Sequence, residues 1–418
     1  MRRVPLRQAG PPRETRPGRR FARSRFRRRW QPPRPAADRP GRGAGLREAV
    51  LPSLSRTGTF VLVAALGWLL AENRDWVGTY RSDTYLTLAG TLLAVGLYAS
   101  TYGIDLGAAR RNVRLVVLAI SGGVVVKAAL ISAVMYLAFR EPAYLVLGVA
   151  VAQIDPVSFA AARLQSRMSA QAKTILSAWA SFDDPITVLL TVYAAAWVWP
   201  LVPADPAAAS APPHTGFESF GLSLAQNLAL AAVAALAWWG TERLRRWVPG
   251  RLVTALQIVV LAGLAVVAVG QFLMLALAVA GLFYRPPLGV VLDRLTQGAF
   301  LAASFALGLV LVGGISPLAG VVLGLAAVGA HAVVALAIGW RLPRSDRVDV
   351  LLGQQNGITA IILALVLERQ FVGTVAAVAP AILTINVLHA LTNGLREAYR
   401  RPGPAVDLAA PPLSPRRG

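Results

Sequence analysis

The sequence contains no cysteine and only three histidines, His214, His331 and His389. The absence of cysteine excludes disulfide bonds, thiolate catalysis and cysteine-ligated metal centres, and it gives no information about the redox compartment. The three histidines lie far apart in the chain, and their spacing matches no metal-binding motif. Charged residues make up only 15% of the chain, with 42 basic residues against 20 acidic ones. The composition therefore does not indicate a thiol enzyme or a zinc protein.

Apolar residues dominate the chain instead. Hydrophobic residues make up 56% of the 418 positions, and the mean hydropathy is +0.56. These values are typical of a polytopic membrane protein and too high for a soluble domain of this length. The net charge of +22 suggests a nucleic-acid partner until the charges are located. Sixteen of the basic residues are arginines within the first 50 positions, and most others flank apolar runs, so they indicate membrane topology and no nucleic-acid partner.

The two ends of the chain differ from its middle. Residues 1–50 are rich in Arg, Pro and Gly, with too little apolar content to fold alone, so they predict a disordered cytosolic tail. Contact with anionic lipid is an alternative role for this tail. No apolar segment followed by a cleavage site precedes the first span, so we expect no removable signal peptide. Residues 399–418 predict a second cytosolic tail, and residues 51–398 form the expected membrane domain.

Twelve apolar segments of roughly spanning length lie between the tails, which predicts an all-α polytopic membrane protein. They cover approximately 57–71, 84–104, 115–139, 142–162, 174–199, 220–240, 252–269, 271–284, 298–312, 317–340, 348–367 and 371–395. The seventh and eighth segments are nearly continuous, so eleven spans is the alternative count. The loops on one side of this arrangement hold 15 lysines and arginines, and the loops on the other side hold 4. Both termini are therefore predicted to be cytosolic.

Polar side chains inside the spans share one depth. Counted from the nearest cytosolic basic residue at 1.5 Å per residue, they lie about 12 to 20 Å into a hydrocarbon core of about 30 Å. A charge at this depth costs a few kcal/mol or more, so such residues usually mark an ion or proton path. The residues at this depth are Lys127, Asp155, Asp184, His331 and Asn356.

Two of the spans contain a polar interruption. The first is Gln153-Ile154-Asp155-Pro156-Val157-Ser158 in span four, and the second is Gly353-Gln354-Gln355-Asn356-Gly357-Ile358-Thr359 in span eleven. The spans around them run in opposite directions, which predicts inverted repeats with two discontinuous helices crossing at the midplane, as in many secondary transporters. Unwound segments offer backbone carbonyls to a cation. We predict supporting roles at the crossing for Gln153, Ser158, Asn356 and Thr359.

Span five carries a pair of adjacent acids in Asp183-Asp184-Pro185. Pro185 and Pro156 lack an N–H, so with Gly357 they are predicted helix breaks that free carbonyl oxygens for a small hard cation. Asp183 and Asp184 are about 100° apart on a helix, so one is expected to face the ion and its neighbour to meet a fixed partner. Charges this close titrate as a coupled unit. A carboxylate that holds either a cation or protons is sufficient to couple the two fluxes.

These two motifs carry a family resemblance. Ile154-Asp155-Pro156-Val157 resembles the Thr-Asp-Pro motif of the monovalent cation/proton antiporter superfamily, which includes the sodium/hydrogen exchangers. Phe182-Asp183-Asp184-Pro185 resembles the Asn-Asp or Asp-Asp motif that this superfamily carries one span later. The resemblance covers nearly all of residues 51–398. It implies a secondary active transporter, not an enzyme, that exchanges Na⁺, or K⁺ or Li⁺, for protons by alternating access.

The resemblance also implies roles for individual residues. Asp184 would be the principal carboxylate for cation and proton, and Asp155 would be a supporting ligand of the monovalent metal cation. Asp183 would occupy the position that separates electrogenic Asp-Asp members from electroneutral Asn-Asp members. A mobile core (about 115–199 and 317–395) would move against a dimerisation domain (about 57–104 and 220–312). We therefore expect a homodimer in the bilayer of the plasma (inner) membrane, with no cofactor besides the transported ions.

The sequence departs from the family pattern at three places. Many Asp-Asp members have a lysine in span ten that pairs with the first Asp, and the nearest candidate here is His331. Asn-Asp members often carry an arginine before the glycine of span eleven, where this chain has Asn356. They also have Glu-Ser upstream of their Asn-Asp, where this chain has Trp179-Ala180.

Simpler interpretations remain for several of these residues. Lys127 is either a structural counter-ion of Asp183 or Asp155, a snorkelling residue or part of proton coupling. His331 is either an interhelical hydrogen-bonding residue or a titrating group, and Asn356 could simply satisfy the broken helix. Asp155 before a proline is alternatively a helix cap.

Other functions are also compatible with the sequence. The alternatives within transport are a potassium efflux system and a sodium-coupled organic-anion carrier. An intramembrane aspartyl protease needs two carboxylates on separate helices, which Asp155 and Asp184 satisfy, but its Tyr-Asp and Gly-x-Gly-Asp contexts are missing. A membrane sensor that binds a cation without transporting it is the last alternative.

Overall fold

The computed structural model describes residues 42–72, 82–104, 117–118, 122–156, 168–202 and 217–400. Within these ranges the chain is helical and contains no β-strand, which confirms the predicted all-α fold class. The described helices are α1 (Arg42–Glu72), α2 (Asp83–Tyr102), α3 (Val124–Phe139), α4 (Ala143–Ala150), α5 (Ala170–Val198), α6 (Phe217–Leu244), α7 (Gly250–Gly270), α8 (Met274–Phe283), α9 (Gly289–Val310), α10 (Pro317–Ile338), α11 (Arg344–Leu351), α12 (Ile358–Glu368) and α13 (Thr374–Arg400).

Seven helices of the described chain are long and apolar enough to cross a membrane: α2, α5, α6, α7, α9, α10 and α13. At 1.5 Å per residue, about 20 residues match the hydrocarbon thickness, so these helices can cross without interruption. The apolar helices α3, α8 and α12 are shorter, with 16, 10 and 11 residues. For α12 the reason is that it forms only one half of an interrupted span.

One helix boundary differs from the prediction, and another decides whether the seventh and eighth spans are separate. α1 begins at Arg42, within the segment predicted to be a disordered tail, and fifteen residues before the predicted first span. The segment Leu46-Arg47-Glu48-Ala49 consists of good helix formers, so the helix continues from the span into it. The seventh and eighth predicted spans are separate helices, α7 and α8, because the chain leaves helical geometry at Phe272, where φ is +54°. The structure therefore does not show one fused span.

The two predicted interruptions are present in the structure. α4 ends at Ala150, the backbone of 151–155 is not helical, and helical geometry resumes at Pro156. Proline suits this position because its fixed φ fits the first turn of a helix, where its missing N–H has no partner to lose. In the second interruption, α11 ends at Leu351 and α12 begins at Ile358, with Gly357 as its N-cap.

The prediction that Pro185 breaks a helix was wrong. α5 runs without interruption from Ala170 to Val198, with Pro185 inside it. A long helix in a membrane protein tolerates one missing backbone hydrogen bond when neighbouring helices and hydroxyl side chains stabilise the bend. The carbonyl that loses its helical partner is that of Ser181, four residues before the proline. The adjacent acids are therefore presented by a continuous helix.

Small residues bring the helices around the interruptions close together. Gly148 of α4 lies against the backbone of Ser132 of α3, and a methyl group at Gly148 would overlap it. Gly324 of α10 lies in the same way against Thr384 of α13. Between α1 and α9, a methyl group at Gly308 would overlap the Ala64 backbone. Such close contacts are the usual way in which membrane helices pack without a hydrophobic driving force.

Candidate ion-binding site

The two interrupted spans cross and hydrogen-bond to one another through their non-helical segments. The Asp155 N–H donates to the Gln355 carbonyl at 2.9 Å. The Gln354 side-chain amide donates to the Gln153 carbonyl at 2.9 Å, and the Asn356 amide donates to the Val151 carbonyl at 3.1 Å. Backbone groups that leave helical geometry must find partners inside the protein, because lipid offers none. Here each interruption supplies partners for the other.

Asn386 of α13 stabilises the second interruption from one side. Its side-chain oxygen accepts from the Asn356 N–H at 3.0 Å, and its side-chain nitrogen donates to the Asn356 carbonyl at 2.9 Å. The Asn356 side-chain oxygen in turn accepts from the Gln354 amide at 2.9 Å. The sequence analysis did not single out Asn386, although an asparagine between Ile385 and Val387 in an apolar span is a signal that could have found it.

Asp183 forms a buried ion pair with Lys127 of α3. The Lys127 Nζ lies 2.7 Å from the Asp183 Oδ2, and both side chains are 0% exposed. The same oxygen accepts the Ile154 N–H at 2.9 Å, so Asp183 also stabilises the first interruption. Lys127 further lies 5.5 Å from the centre of the Trp179 ring. Among the interpretations left open for Lys127, the geometry is that of a fixed counter-ion and not of a snorkelling residue.

Asp184 is surrounded by neutral hydrogen-bond donors. The Thr359 hydroxyl donates to Oδ2 at 2.9 Å, from the first turn of α12. The Gln153 amide, oriented with its nitrogen toward the carboxylate, donates to Oδ1 at 3.1 Å, while its oxygen accepts the Ala360 N–H. Asp184 is 1% exposed, and no basic residue in the described part of the chain forms an ion pair with it. Of the three predicted carboxylates, Asp184 alone has this arrangement among the described residues.

Asp155 lies at the centre of the crossing and is 1% exposed. Its Oδ2 lies 3.6 Å from a guanidinium nitrogen of Arg56. Gly357 lies so close to the Asp155 carboxylate that a methyl group at this position would overlap it, so the glycine makes room for the carboxylate. The Asp184 carboxylate hydrogen-bonds to Gln153, two residues before Asp155, and to Thr359, two residues after the Gly357 that lies against Asp155. The crossing thus brings together the two residues predicted as cation ligands.

Arg56 of α1 was not among the predicted site residues. It stands at the start of the first predicted span, where an arginine is normally a membrane-interface anchor, and no acidic residue near it in the sequence marks it as a partner. Its guanidinium also lies 5.0 Å from the centre of the Phe300 ring of α9. The pairing with Asp155 joins positions 99 residues apart, which a single sequence does not reveal.

His331 does not take the place of the lysine that many Asp-Asp antiporters have in span ten. Its Nε2 lies 2.9 Å from the Val350 carbonyl, at the end of α11, and its ring lies 5.0 Å from that of Trp179. His331 was the span-ten candidate for pairing with Asp183, and Lys127, the other candidate, holds that position from α3. The Val350 carbonyl also accepts the Gly353 N–H at 3.2 Å, so His331 provides a further hydrogen bond to the end of α11.

Some of the residues named from the sequence lie outside the described residues, among them Val157, Ser158 and His214. The described residues contain no group of three or more His, Asp or Glu side chains that could hold a metal ion. The crossing offers carboxylate, hydroxyl, amide and backbone oxygens, which are the ligand types that hard cations prefer.

The architecture resembles that of a solved transporter. No protein-family model and no curated protein sequence matches the chain. The structure of the sodium proton antiporter MjNhaP1 from Methanocaldococcus jannaschii at pH 8 superposes with a TM-score of 0.59 at 12% identity, covering 86% of this chain and 98% of that one. The fold is that of a sodium/proton antiporter.

A second structure of the same protein, an electron-microscopy map, gives the same result. It superposes on this chain with a TM-score of 0.53 at 14% identity and covers 86% of this chain and 94% of that one. The predicted antiporter-type fold and the multi-pass membrane character are thereby confirmed. Both structural neighbours are transporters and not enzymes. At this level of identity the likeness establishes the antiporter fold, while the ions and the site residues need separate arguments.

Proposed function

We propose that this antiporter-fold protein exchanges a monovalent cation for protons at Asp184, with Asp155 as the second carboxylate. The observation that carries the proposal is the contrast among the three buried acids. Asp183 is paired with Lys127 and Asp155 lies beside Arg56, whereas Asp184 receives only neutral donors from the described residues. A buried carboxylate without a fixed counter-charge is costly, so it must bind either a proton or a cation. That alternation is the chemistry of exchange.

The donors around Asp184 suit both states of such a cycle. When Asp184 binds a cation, the Thr359 hydroxyl and the Gln153 side-chain oxygen can turn toward the ion as ligands. When Asp184 binds a proton, the same groups hydrogen-bond to the neutral acid. The first turn of α12 lies at this position, and the partial positive charge of its N-terminus stabilises the carboxylate without neutralising it.

The Asp183–Lys127 pair has a different role in this proposal. Its two charges cancel in a fully buried environment, and the Ile154 N–H ties the pair to the first interruption. We assign it to holding α3, the non-helical segment and α5 as one unit. Because both partners are buried and hydrogen-bonded, separating them would cost several kcal/mol.

Access to the site from alternate sides requires movement of the crossing as a body. We propose that α3–α5 and α10–α13 form this mobile core, and that the remaining helices form the scaffold of a homodimer in the plasma membrane. In this arrangement both termini lie on the cytosolic side, as the excess of basic residues in the cytosolic loops requires.

Na⁺ is the first candidate for the transported cation, with K⁺ and Li⁺ as the alternatives. The structural neighbour MjNhaP1 is a sodium proton antiporter, which supports this order. An organic-anion carrier would need basic groups available to its substrate. In the described part of the crossing, however, Lys127 and Arg56 each lie beside a carboxylate. An aspartyl protease would need both of its acids for a shared water, and Arg56 at Asp155 argues against that use.

The test is the dissipation of an imposed pH gradient in proteoliposomes by Na⁺, Li⁺ and K⁺, each added separately. We expect at least one cation to drive proton movement in the wild type and the response to fall by about a hundredfold or more in Asp184→Asn, since the variant can hold neither the cation nor the transported proton. Asp293→Asn, an exposed position on α9, is the matched control and should behave as wild type. Wild-type rates in Asp184→Asn would remove the proposal.

A further inference from the structure

A basic side chain reaches the candidate site from outside the crossing. Arg56 belongs to α1, whereas Asp155 belongs to the first interruption, and the two side chains lie 3.6 Å apart. Their environments differ, because the Asp155 side chain is 1% exposed and the Arg56 side chain is 30% exposed. The arginine therefore has one end against a buried carboxylate while part of the side chain remains outside the packed interior.

Arg56 is held from a second direction by α9. The guanidinium lies 5.0 Å from the centre of the Phe300 ring, within the range of a cation–π interaction. The helices that carry these two residues pack at van der Waals contact, because Gly308 of α9 lies against the backbone of Ala64 of α1. The position of Arg56 is thus fixed by α1 and α9, and not by the broken helices.

The charge of Arg56 matters for a cation at Asp155. A guanidinium stays charged at any physiological pH, so Arg56 can neither deliver nor accept the proton of an exchange cycle. A cation that binds the Asp155 carboxylate would stand within a few ångströms of the guanidinium, where two like charges repel strongly in a poorly solvated site. Arg56 and a transported cation therefore compete for the Asp155 carboxylate.

We propose that Arg56 is a tethered cation that neutralises Asp155 when the site is empty and that the transported cation must displace. Arg56 is then a positioning residue that sets the cation affinity, and this role rests on the function proposed above. Displacement needs only a rotation of the arginine side chain, part of which is already exposed, while Phe300 can keep contact with its stem. An arginine that served packing alone would leave the affinity unchanged when its charge is removed.

The experiment compares cation affinity in wild type and Arg56→Gln by two readouts. The first is the KM for Na⁺, Li⁺ or K⁺ in proteoliposomes, and the second is the concentration of the same cation that half-maximally stabilises the purified protein against thermal unfolding. In Arg56→Gln we expect both values to fall by about tenfold, because the competing charge is removed. A change of about tenfold in affinity is typical for the loss of one interaction with a charged group. Arg369→Gln, which removes an arginine paired with Asp83 away from the crossing, is the control and should leave both values unchanged.

Two further variants protect the test against misfolding and against indirect effects. Arg56→Met keeps the apolar stem beside Phe300 and should show the same gain in affinity, whereas Arg56→Lys keeps the charge and should stay near wild type. In an Asp155→Asn background, Arg56→Gln should change neither value, because the group for which the two cations compete is absent. An equal gain in that background would overturn the proposal.

The outcomes separate this proposal from the proposed function. If the wild type exchanges cations for protons but Arg56→Gln and Arg56→Met keep or raise the wild-type KM and stabilisation midpoint, the tethered-cation role is wrong and the antiport function stands. If the wild type shows neither exchange nor stabilisation with Na⁺, Li⁺ or K⁺, both proposals are overturned. A lower midpoint and KM in the two neutral variants, and not in Arg56→Lys, would establish the role.

Discussion

Asp183 and Asp184 follow one another on α5, but they enter two regions that differ in how they compensate a buried charge. On the side of α3, the Asp183 carboxylate meets an opposite charge in the Lys127 ammonium and a backbone N–H, and all of these groups are buried. On the side of α12, the Asp184 carboxylate meets a hydroxyl and an amide, which carry no net charge. One region is neutral as it stands, whereas the other holds a carboxylate with no opposite charge paired to it among the described residues. In the proposed function, the first acid is structural and the second binds the ion.

The largest expected effect comes from breaking the neutral region. Lys127→Met should lower the free energy of unfolding by about 3–5 kcal/mol, because it leaves the Asp183 charge buried without its partner. Thermal unfolding of the purified protein measures this loss. The double variant Lys127→Met with Asp183→Asn should recover most of the stability, and Asp184→Asn should not destabilise the protein comparably. Equal losses in Lys127→Met and Asp184→Asn would erase the distinction between the two regions.

A smaller effect is expected when one neutral donor of Asp184 is removed. Thr359→Val keeps the shape of the side chain but loses the hydroxyl that donates to Oδ2, so the KM for the transported cation should rise by about tenfold. The matched control is Thr191→Val on α5, where a buried hydroxyl bonds only to the Thr187 carbonyl of its own helix. Cation-dependent proton flux measures the KM of each variant. An unchanged KM in Thr359→Val would place the cation away from this donor.

The smallest effect is expected at His331. His331→Ala should leave the pH profile of exchange unchanged, because the side chain contacts the Val350 carbonyl and the Trp179 ring and not Asp183. The measurement is the exchange rate across a pH series, with the wild type in parallel. A shifted profile would show that the region around Asp183 contains a second proton-binding group, and the simple division between the two acids would then fail.

Much of this arrangement could be predicted from the sequence because the membrane restricts it. Hydropathy and the distribution of arginines determine spans and sides, and the acid and amide motifs stand out against an apolar background. The depth estimate placed Lys127, Asp155 and Asp184 near one plane, and the structure does bring each of them to the crossing. Interruptions were expected at 153–158 and 353–359, and the described chain leaves helical geometry at 151–155 and 352–357, a few residues earlier in each case.

What the sequence could not provide is the direction in which each side chain points. Depth along a helix follows from counting residues, but rotation about its axis depends on the neighbouring helices. For this reason the sequence left both His331 and Lys127 open as candidate partners of Asp183. Arg56 was missed because it meets Asp155 across 99 residues, and Asn386 because its position in an apolar span was not weighed. Pro185 was misjudged because its local cost is offset by tertiary packing around a continuous helix.

The crossing is joined by carboxamides, and this has a consequence for how the protein responds to its surroundings. Gln354, Asn356 and Asn386 each carry a donor and an acceptor, and together they link both interruptions to α13. A carboxamide does not ionise at physiological pH, so acidification of either compartment does not alter these links, and added salt does not screen them. These carboxamide hydrogen bonds, which would have to move together in a transport cycle, therefore do not depend on the proton or salt concentration. Under the proposed exchange, the proton gradient would act on the buried carboxylates and not on these carboxamide links, so the links would hold the two interruptions and α13 together whether the site is protonated or loaded with a cation.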